Sequence, residues 1–339
     1  MASTSRPPTV ADIAARSGVS KATVSHALNG SGRVNPNTRE RVLQVAAELG
    51  YSANVHARNL ATGRHMTVAL QVSGPAGRLL VPDSAYYIEV LNSAAATALA
   101  RGYVPMLTPT SISAPAADAL AVDGALIIDP GRNDVLFSTL RARGRRVVTT
   151  GRPMQAAGDA SWVDNDHVTL TRLVLDHFVA SGYERPALLT TSSSHSYAQD
   201  LVRGYRAWIA EHDTPELLVQ MRGTPTAERA IAGAADLLSR RPRPDAIYAT
   251  FDIFALGALR AATAAGLRVP EDLGIASTVD SEAMRSVAPT ITACRLHSTR
   301  IGQLAMDLLA DELEGAQAPR RVLVPAEIAA RASTARSGA

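Results

Sequence analysis

Apolar positions in the first fifty residues recur at helical spacing in three short groups: Ile13 and Ala14, then Val24, Ala27 and Leu28, then Val42, Val45, Ala46 and Leu49. Side chains three and four residues apart share one face of a helix, so the pattern predicts three short amphipathic helices. The polar residues between them agree. Thr9 with Asp12 three positions on is a capping-box pattern for the first helix. Gly18 tolerates the left-handed conformation that ends a helix, and Ser20 is a good N-cap for the next. Asn35-Pro36 opens the third, because proline at the first helical position gives up an N–H that has no helical partner anyway. The expected order is helix, tight turn over Gly18-Val19-Ser20, helix, then a third helix. After Gly50, Asn54 can cap a short polar helix running through Leu60, before Thr62-Gly63 marks a boundary.

From Met66 onward the pattern changes. Short apolar runs ("MTVALQV", "YVPMLTP", "GALIID", "RVVTTG", "PALLTT", "LLVQMRG", "DAIYAT", "LGIAST") alternate with amphipathic stretches of helical length at 86–101, 168–181, 199–210, 227–239 and 253–265. Strand–helix alternation predicts parallel sheets with crossover helices. Ligands of such sheets sit beyond the carboxyl ends of the strands. The loops to watch are therefore Asp83-Ser84, Asp129-Pro130, Gly151-Arg152, Asp164-Asn165-Asp166, 192–199, Phe251-Asp252 and Asp280-Ser281. Any one Ser, Asp or Asn there can equally be a helix cap.

Charge separates the two parts. Residues 1–64 carry eight basic side chains, among them Lys21, the single lysine of the chain, against Asp12, Glu40 and Glu48, a net +5. With +3 overall, the remainder is −2. A basic head on a weakly acidic body points to a polyanion-binding module joined to a second function. Composition is otherwise that of an ordinary globular chain, with 46% hydrophobic and 19% charged residues. Cys294 is the lone cysteine and lies in an apolar run, so neither an internal disulfide nor a thiolate metal site is expected. The N-terminus has no apolar signal-like stretch and no segment is long enough to span a bilayer, which makes a cytoplasmic location the simplest expectation. No G-x-S-x-G elbow, P-loop or HExxH occurs, so nothing supports an enzyme, and neither cofactor nor metal is expected.

The run "TVADIAARSGVSKATVSHALNGSGRVNPNTRERVLQVAAELGYSANVHARNLATGR" resembles the N-terminal domain of the LacI/GalR family of bacterial transcription regulators. The resemblance rests on Val19, Ser20, Thr23, Val24 and Ser25, on Leu28-Asn29, on Thr38, Arg39, Arg41 and Val42, on Gly50-Tyr51, and on Asn54, Ala57-Arg58 and Leu60. It implies an N-terminal all-α, three-helix helix-turn-helix domain over 1–52, a hinge helix and linker over 53–64, and an effector-binding and dimerisation domain over 65–339. Lys21, Ala22 and His26 match the family's base-reading positions. Lys21 can donate to guanine, and Ala22 offers apolar contact. Thr9, Ser20, Thr23, Ser25, Asn29 and Asn54 complete the expected contacts to double-stranded DNA. Leu60 matches the hinge leucine that wedges into the minor groove, flanked by Ala57 and Arg58. Two such wedges require a homodimer on a palindromic operator, and no C-terminal leucine heptad suggests a higher oligomer. His26 stands where many members carry Arg, which removes a fixed charge from that position.

The resemblance continues through "VDND", "LVRGYRAW", "FDIFALGALRA", "GLRVPEDLGIAS", "PTITACRLHSTRIGQLAMDLL" and "ARAST". It implies a C-terminal α/β domain of two Rossmann-like subdomains, periplasmic-binding-protein type I-like, at about 65–161 plus 296–318 and 162–291 plus 320–335. Asp83, Tyr86, Tyr87, Asp129, Asp164, Gln199, Phe251, Asp252 and Asp280 are then the candidate effector residues, with Asp252 and Asp280 the favoured acceptors. The sequence departs from the family at this pocket. Gln199 replaces an Arg, Phe251-Asp252 an Asn-Asp pair, and Ser277-Thr278-Val279-Asp280 a Gly-Phe-Asp-Asp stretch. The expected effector is a small molecule such as a sugar or nucleoside, and not an ordinary hexose. The alternatives are a regulator with a vestigial pocket, a solute-binding protein, which the body alone would fit, and an enzyme on the same scaffold.

Overall fold

The structure is a computed structural model that describes residues 8–29, 32–51, 64–74, 85–154, 159–317 and 319–336. The chain divides into two compact units, Met1–His65 and Met66–Ala339.

In the first unit the three expected helices are α1 (Val10–Ser17), α2 (Lys21–Asn29) and α3 (Pro36–Glu48). Their apolar stripes close on one another: Ile13, Val24 and Val42 are fully buried among Ala14, Ala27, Val45 and Ala46, with Val10, Val19, Leu28 and Leu49 packed around them. The capping box forms, Asp12 accepting from the Thr9 backbone N–H at 2.7 Å. Gly18 takes φ +66° and ends α1 with its N–H on the Ala14 carbonyl. Ser20 caps α2, its hydroxyl oxygen accepting from the Thr23 N–H at 3.1 Å. Asn35 caps α3 through the Asn37 N–H at 3.0 Å. Asn35→Ala is expected to cost about 1 kcal/mol and to speed amide exchange in the first turn of α3, and an unchanged exchange rate would show the cap to be idle.

The second unit runs β1 (Thr67–Val72), α4 (Ala85–Ala100), β2 (Val104–Leu107), α5 (Ala114–Asp118), β3 (Gly124–Ile128), α6 (Val135–Ala142), β4 (Arg146–Thr150) and β5 (Ser161–Asn165). It continues through α7 (His167–Ala180), β6 (Pro186–Thr191), α8 (Ser196–Glu211), β7 (Leu218–Met221), α9 (Ala227–Ser239), β8 (Ala246–Ala249), α10 (Asp252–Ala264), β9 (Gly274–Ser277), α11 (Glu282–Ser286) and β10 (Thr292–Arg295). The last elements are α12 (Ser298–Leu313), β11 (Arg321–Val324), β12 (Glu327–Ala329) and a 3-10 turn at Ala332–Thr334. Two six-stranded sheets result, ordered β11-β5-β4-β3-β1-β2 and β12-β10-β9-β8-β6-β7. All pairs are parallel except β10–β12. Crossover helices cover both faces of each sheet, so strands such as β3 and β8 are buried throughout and read as continuous apolar runs.

The pairing moves the expected subdomain boundaries. β5 pairs with β4 and with β11, so residues 161–165 and 321–324 belong to the first sheet and not to the second subdomain. The sequence expectation places Asp164-Asn165-Asp166 on a loop; Asp and Asn are poor strand formers, which hides a strand there. Here Asp164 and Asn165 are buried strand residues, and the Asn165 amide donates to the Leu296 carbonyl at 3.2 Å and the Val324 carbonyl at 2.7 Å. That one side chain ties together the three places where the chain passes between the sheets. Among the described residues no helix is long and apolar enough to cross a membrane.

Candidate nucleic-acid interface and ligand cleft

In the head, burial of Val24 and Ala27 turns the opposite side of α2 outward, leaving Lys21, Ala22, Ser25 and His26 exposed. A long cation, a methyl, a hydroxyl and an imidazole thus share the outer surface of the first two turns. That is the mixture of charged, apolar and polar groups that base edges and phosphates require. Ser20 and Thr23 bond to each other, with their hydroxyl oxygens 2.9 Å apart at the helix start. Thr9 is committed to its capping box, its hydroxyl donating to Asp12 at 2.6 Å. Asn29 is the last residue of α2. Asn54, Ala57, Arg58 and Leu60 lie outside the described residues.

In the body, the ends of β3, β4 and β5 bring Asp129, Gly151 and Asp164 together. Asp129 holds a left-handed backbone, φ +48°, which Asp tolerates better than most side chains. Its carboxylate accepts from the Tyr87 hydroxyl at 2.9 Å. Gly151, at φ +76°, faces the same carboxylate, and a Cβ there would lie 2.5 Å from Asp129 Oδ1. Burial, and then the neighbouring charge of Asp164, push the Asp129 carboxyl up to about 7, against the opposing pull of Tyr87 and His167. His167 Nε2 lies 3.4 Å from Asp164 Oδ1. Burial works against its imidazolium, but the hydrogen bond and charge of Asp164, backed by Asp129 and Asp200, win and raise its pKa. Its Nδ1 is buried, with no hydrogen-bond partner among the described residues.

Aromatic rings line the same place. Tyr86 and Tyr87 meet edge to face at 5.4 Å. From the second sheet, Tyr197 stacks on His195 at 5.6 Å, lies 6.2 Å from His167 and meets Phe251 edge-on at 6.0 Å. Tyr86, Tyr87, Tyr197 and Phe251 are all half-buried. Carboxylates beside partly exposed rings suit a ligand that donates hydrogen bonds and offers an apolar face.

The structure therefore gathers Tyr86, Tyr87, Asp129, Asp164 and Phe251 at one site. Asp83 lies outside the described residues. The favoured acceptors are engaged otherwise: Asp280 is paired with Arg331 at 2.7 Å and Arg285 at 3.0 Å, while Asp252 accepts from the Ile253 N–H at its own helix start. Gln199 is exposed. Tyr197, His167 and His195 went unassigned in the sequence. The sequence does carry a signal for Tyr197, a large aromatic inside the serine-rich stretch 192–199, beside the Gln199 that stands in place of an arginine.

Residues 9–54 match the family described as bacterial regulatory proteins, lacI family, and residues 175–334 match the periplasmic binding protein-like domain. The chain is 32% identical over 320 residues to the HTH-type transcriptional regulator CelR of Thermobifida fusca, covering 91% of this chain and 93% of that protein. It is 26% identical to the lactose operon repressor of Escherichia coli strain K12, covering 97% of this chain and 91% of that protein. Among solved structures, the transcriptional regulator CelR–cellobiose complex superposes with a TM-score of 0.73 at 28% identity, covering 96% and 99% of the two chains. The lac repressor dimer bound to operator and an anti-inducer superposes with a TM-score of 0.80 at 24% identity, covering 97% and 99%.

Proposed function

Because this chain belongs to the lacI family of bacterial regulatory proteins, we propose that it is a transcriptional repressor that binds a palindromic operator as a homodimer and responds to a small saccharide-like effector. The observation that carries the reading is the outer surface of α2. Lys21, Ala22, Ser25 and His26 are exposed together on a helix whose other side is the core of a basic three-helix domain. The recognition helix of such a motif reads base edges from its first turns, and two copies read two half-sites. Exposed Ile88 and Leu99 on α4 and Val104 and Leu107 on β2 supply apolar surface that a second copy can cover. A ligand that fastens the two sheets together at their strand ends changes the spacing of the paired domains, and through it the hinge leucines' access to DNA.

Selection of bound duplexes from a random library, with and without cell extract, tests the reading, since it reports site and effector dependence together. The expected result is one enriched inverted repeat whose recovery the extract alters. Recovery without any symmetric site would refute it. Lys21→Ala is expected to cost about 1–3 kcal/mol and to relax preference at one symmetric pair of positions, measured by competition against single-base operator variants. A uniform loss on all sequences would assign Lys21 to phosphate instead.

A further inference from the structure

Tyr197 sits where the two halves of the cleft meet. On the side of the second sheet its ring lies parallel to His195, within 9°, and against the edge of Phe251. Toward the first sheet, burial and then the neighbouring Asp129 charge raise the pKa of its phenol against the opposing influence of Ser193 and Tyr87, which places these groups beside it. The segment carrying it is fastened across the cleft on both sides of the ring. The Arg132 N–H donates to Ser194 at 3.4 Å, the Arg152 N–H donates to Ser196 at 3.0 Å, and the Arg152 guanidinium donates to both Asp200 oxygens at 2.8 and 3.0 Å. A hydroxylated ring thus already spans the partners expected to receive the effector: an aromatic wall on one side and the Tyr87–Asp129 pair on the other.

We propose that the Tyr197 ring competes with one ring of the effector for the place between the His195–Phe251 wall and the Tyr87–Asp129 pair, so that a ligand binds by displacing it. The effector class that follows is a molecule with a six-membered ring whose apolar face replaces the phenol against His195 and Phe251 and whose hydroxyl takes the phenol's place beside Tyr87 and Asp129. Tyr197 is then the residue that sets ligand size and affinity, because each ligand competes with it for the same partners. The inference rests on the saccharide-responsive reading above, and its test separates the two.

Hydrogen exchange on the ligand-free full chain comes first. Amides of 129–134 and 193–200 are expected to exchange about tenfold faster in Tyr197→Ala than in the wild type, and to an intermediate extent in Tyr197→Phe, which keeps the ring and loses the hydroxyl. Unchanged exchange in both variants would overturn the proposal. Calorimetric titration with cellobiose, then with a panel of mono- and disaccharides, comes second. Any sugar that binds the wild type is expected to bind Tyr197→Ala about tenfold or more tightly, since nothing need be displaced. Equal or weaker binding would make Tyr197 a stacking platform and overturn the proposal. Faster exchange with no sugar bound by any variant would refute the saccharide reading and leave Tyr197 as the residue that closes the cleft. If Tyr197→Ala does not fold, Tyr197→Phe decides through the same two measurements.

Discussion

Asp129→Asn is expected to be more stable than the wild type above pH 7 and to lose most of the wild type's decline in stability between pH 4 and pH 7. The folded chain holds the Asp129 carboxyl at about 7, against an ordinary value of 3.8, with burial the first cause and Asp164 the second. A folded state that keeps its proton more tightly than the unfolded chain gains stability at low pH. That contribution is whole below the unfolded value and is lost as pH rises through the folded one. Three pH units at about 1.4 kcal/mol each set an upper bound of roughly 4 kcal/mol, and partial relaxation around the ionised carboxylate brings the expected loss to about 3 kcal/mol. Asn keeps an acceptor for the Tyr87 hydroxyl and carries no charge to bury. Chemical denaturation of both proteins from pH 4 to pH 8 measures the difference, and parallel curves would show Asp129 to be ionised throughout. Among the described residues, the groups that act on it are Tyr86 and Tyr87 from α4, Asp164 and His167 from β5 and α7, and Tyr197 from α8, and the basic one, His167, is paired with Asp164.

Leu60→Ala is expected to weaken binding to the selected operator by about 100-fold or more while leaving non-specific DNA affinity and the melting temperature of the free protein unchanged. A leucine pressed between base pairs offsets the unstacking it causes by burying its own side chain and by the wider contact that a kinked duplex allows. An alanine is too short to hold the step open, and in the proposed dimer the loss is counted twice. About 3 kcal/mol corresponds to 100-fold, so the effect stands well clear of experimental scatter. Fluorescence anisotropy at a fixed salt concentration, against operator and scrambled duplexes, provides the measurement. Operator affinity equal to that of the wild type would remove the hinge from the mechanism.

The head was almost fully legible before its structure because its information is local. Thr9 and Asp12, Gly18, Ser20, and Asn35-Pro36 act within one helical turn of themselves, and the apolar spacing determines which sides of α1, α2 and α3 face inward. The body was legible in its alternation and less so in its partition. β5 escapes the pattern because a strand ending in Asp and Asn does not look like one until β4 and β11 are placed on either side of it. The cleft was legible in part. Tyr86, Tyr87, Asp129, Asp164 and Phe251 were named from loop position and resemblance, and they converge. Asp280 and Asp252 are favoured as acceptors by loop position and resemblance. Neither shows that an arginine 51 residues later, Arg331, already holds one of them.

What the sequence determined by itself was therefore the class of this protein: a basic helix-turn-helix head, a parallel α/β body, and the outward side of the helix that starts at Lys21. Period, capping chemistry and charge are properties of neighbours in the chain, and they survive without coordinates. Only the tertiary structure decided that the Tyr197 ring packs on His195 and Phe251 while Gln199 is exposed, that Arg152 bonds to Asp200, and that Asp129 shares its surroundings with a second carboxylate. Those facts depend on side chains brought together from strands and loops far apart in sequence. A buried group's protonation and partners are set by what the fold places within a few ångströms of it.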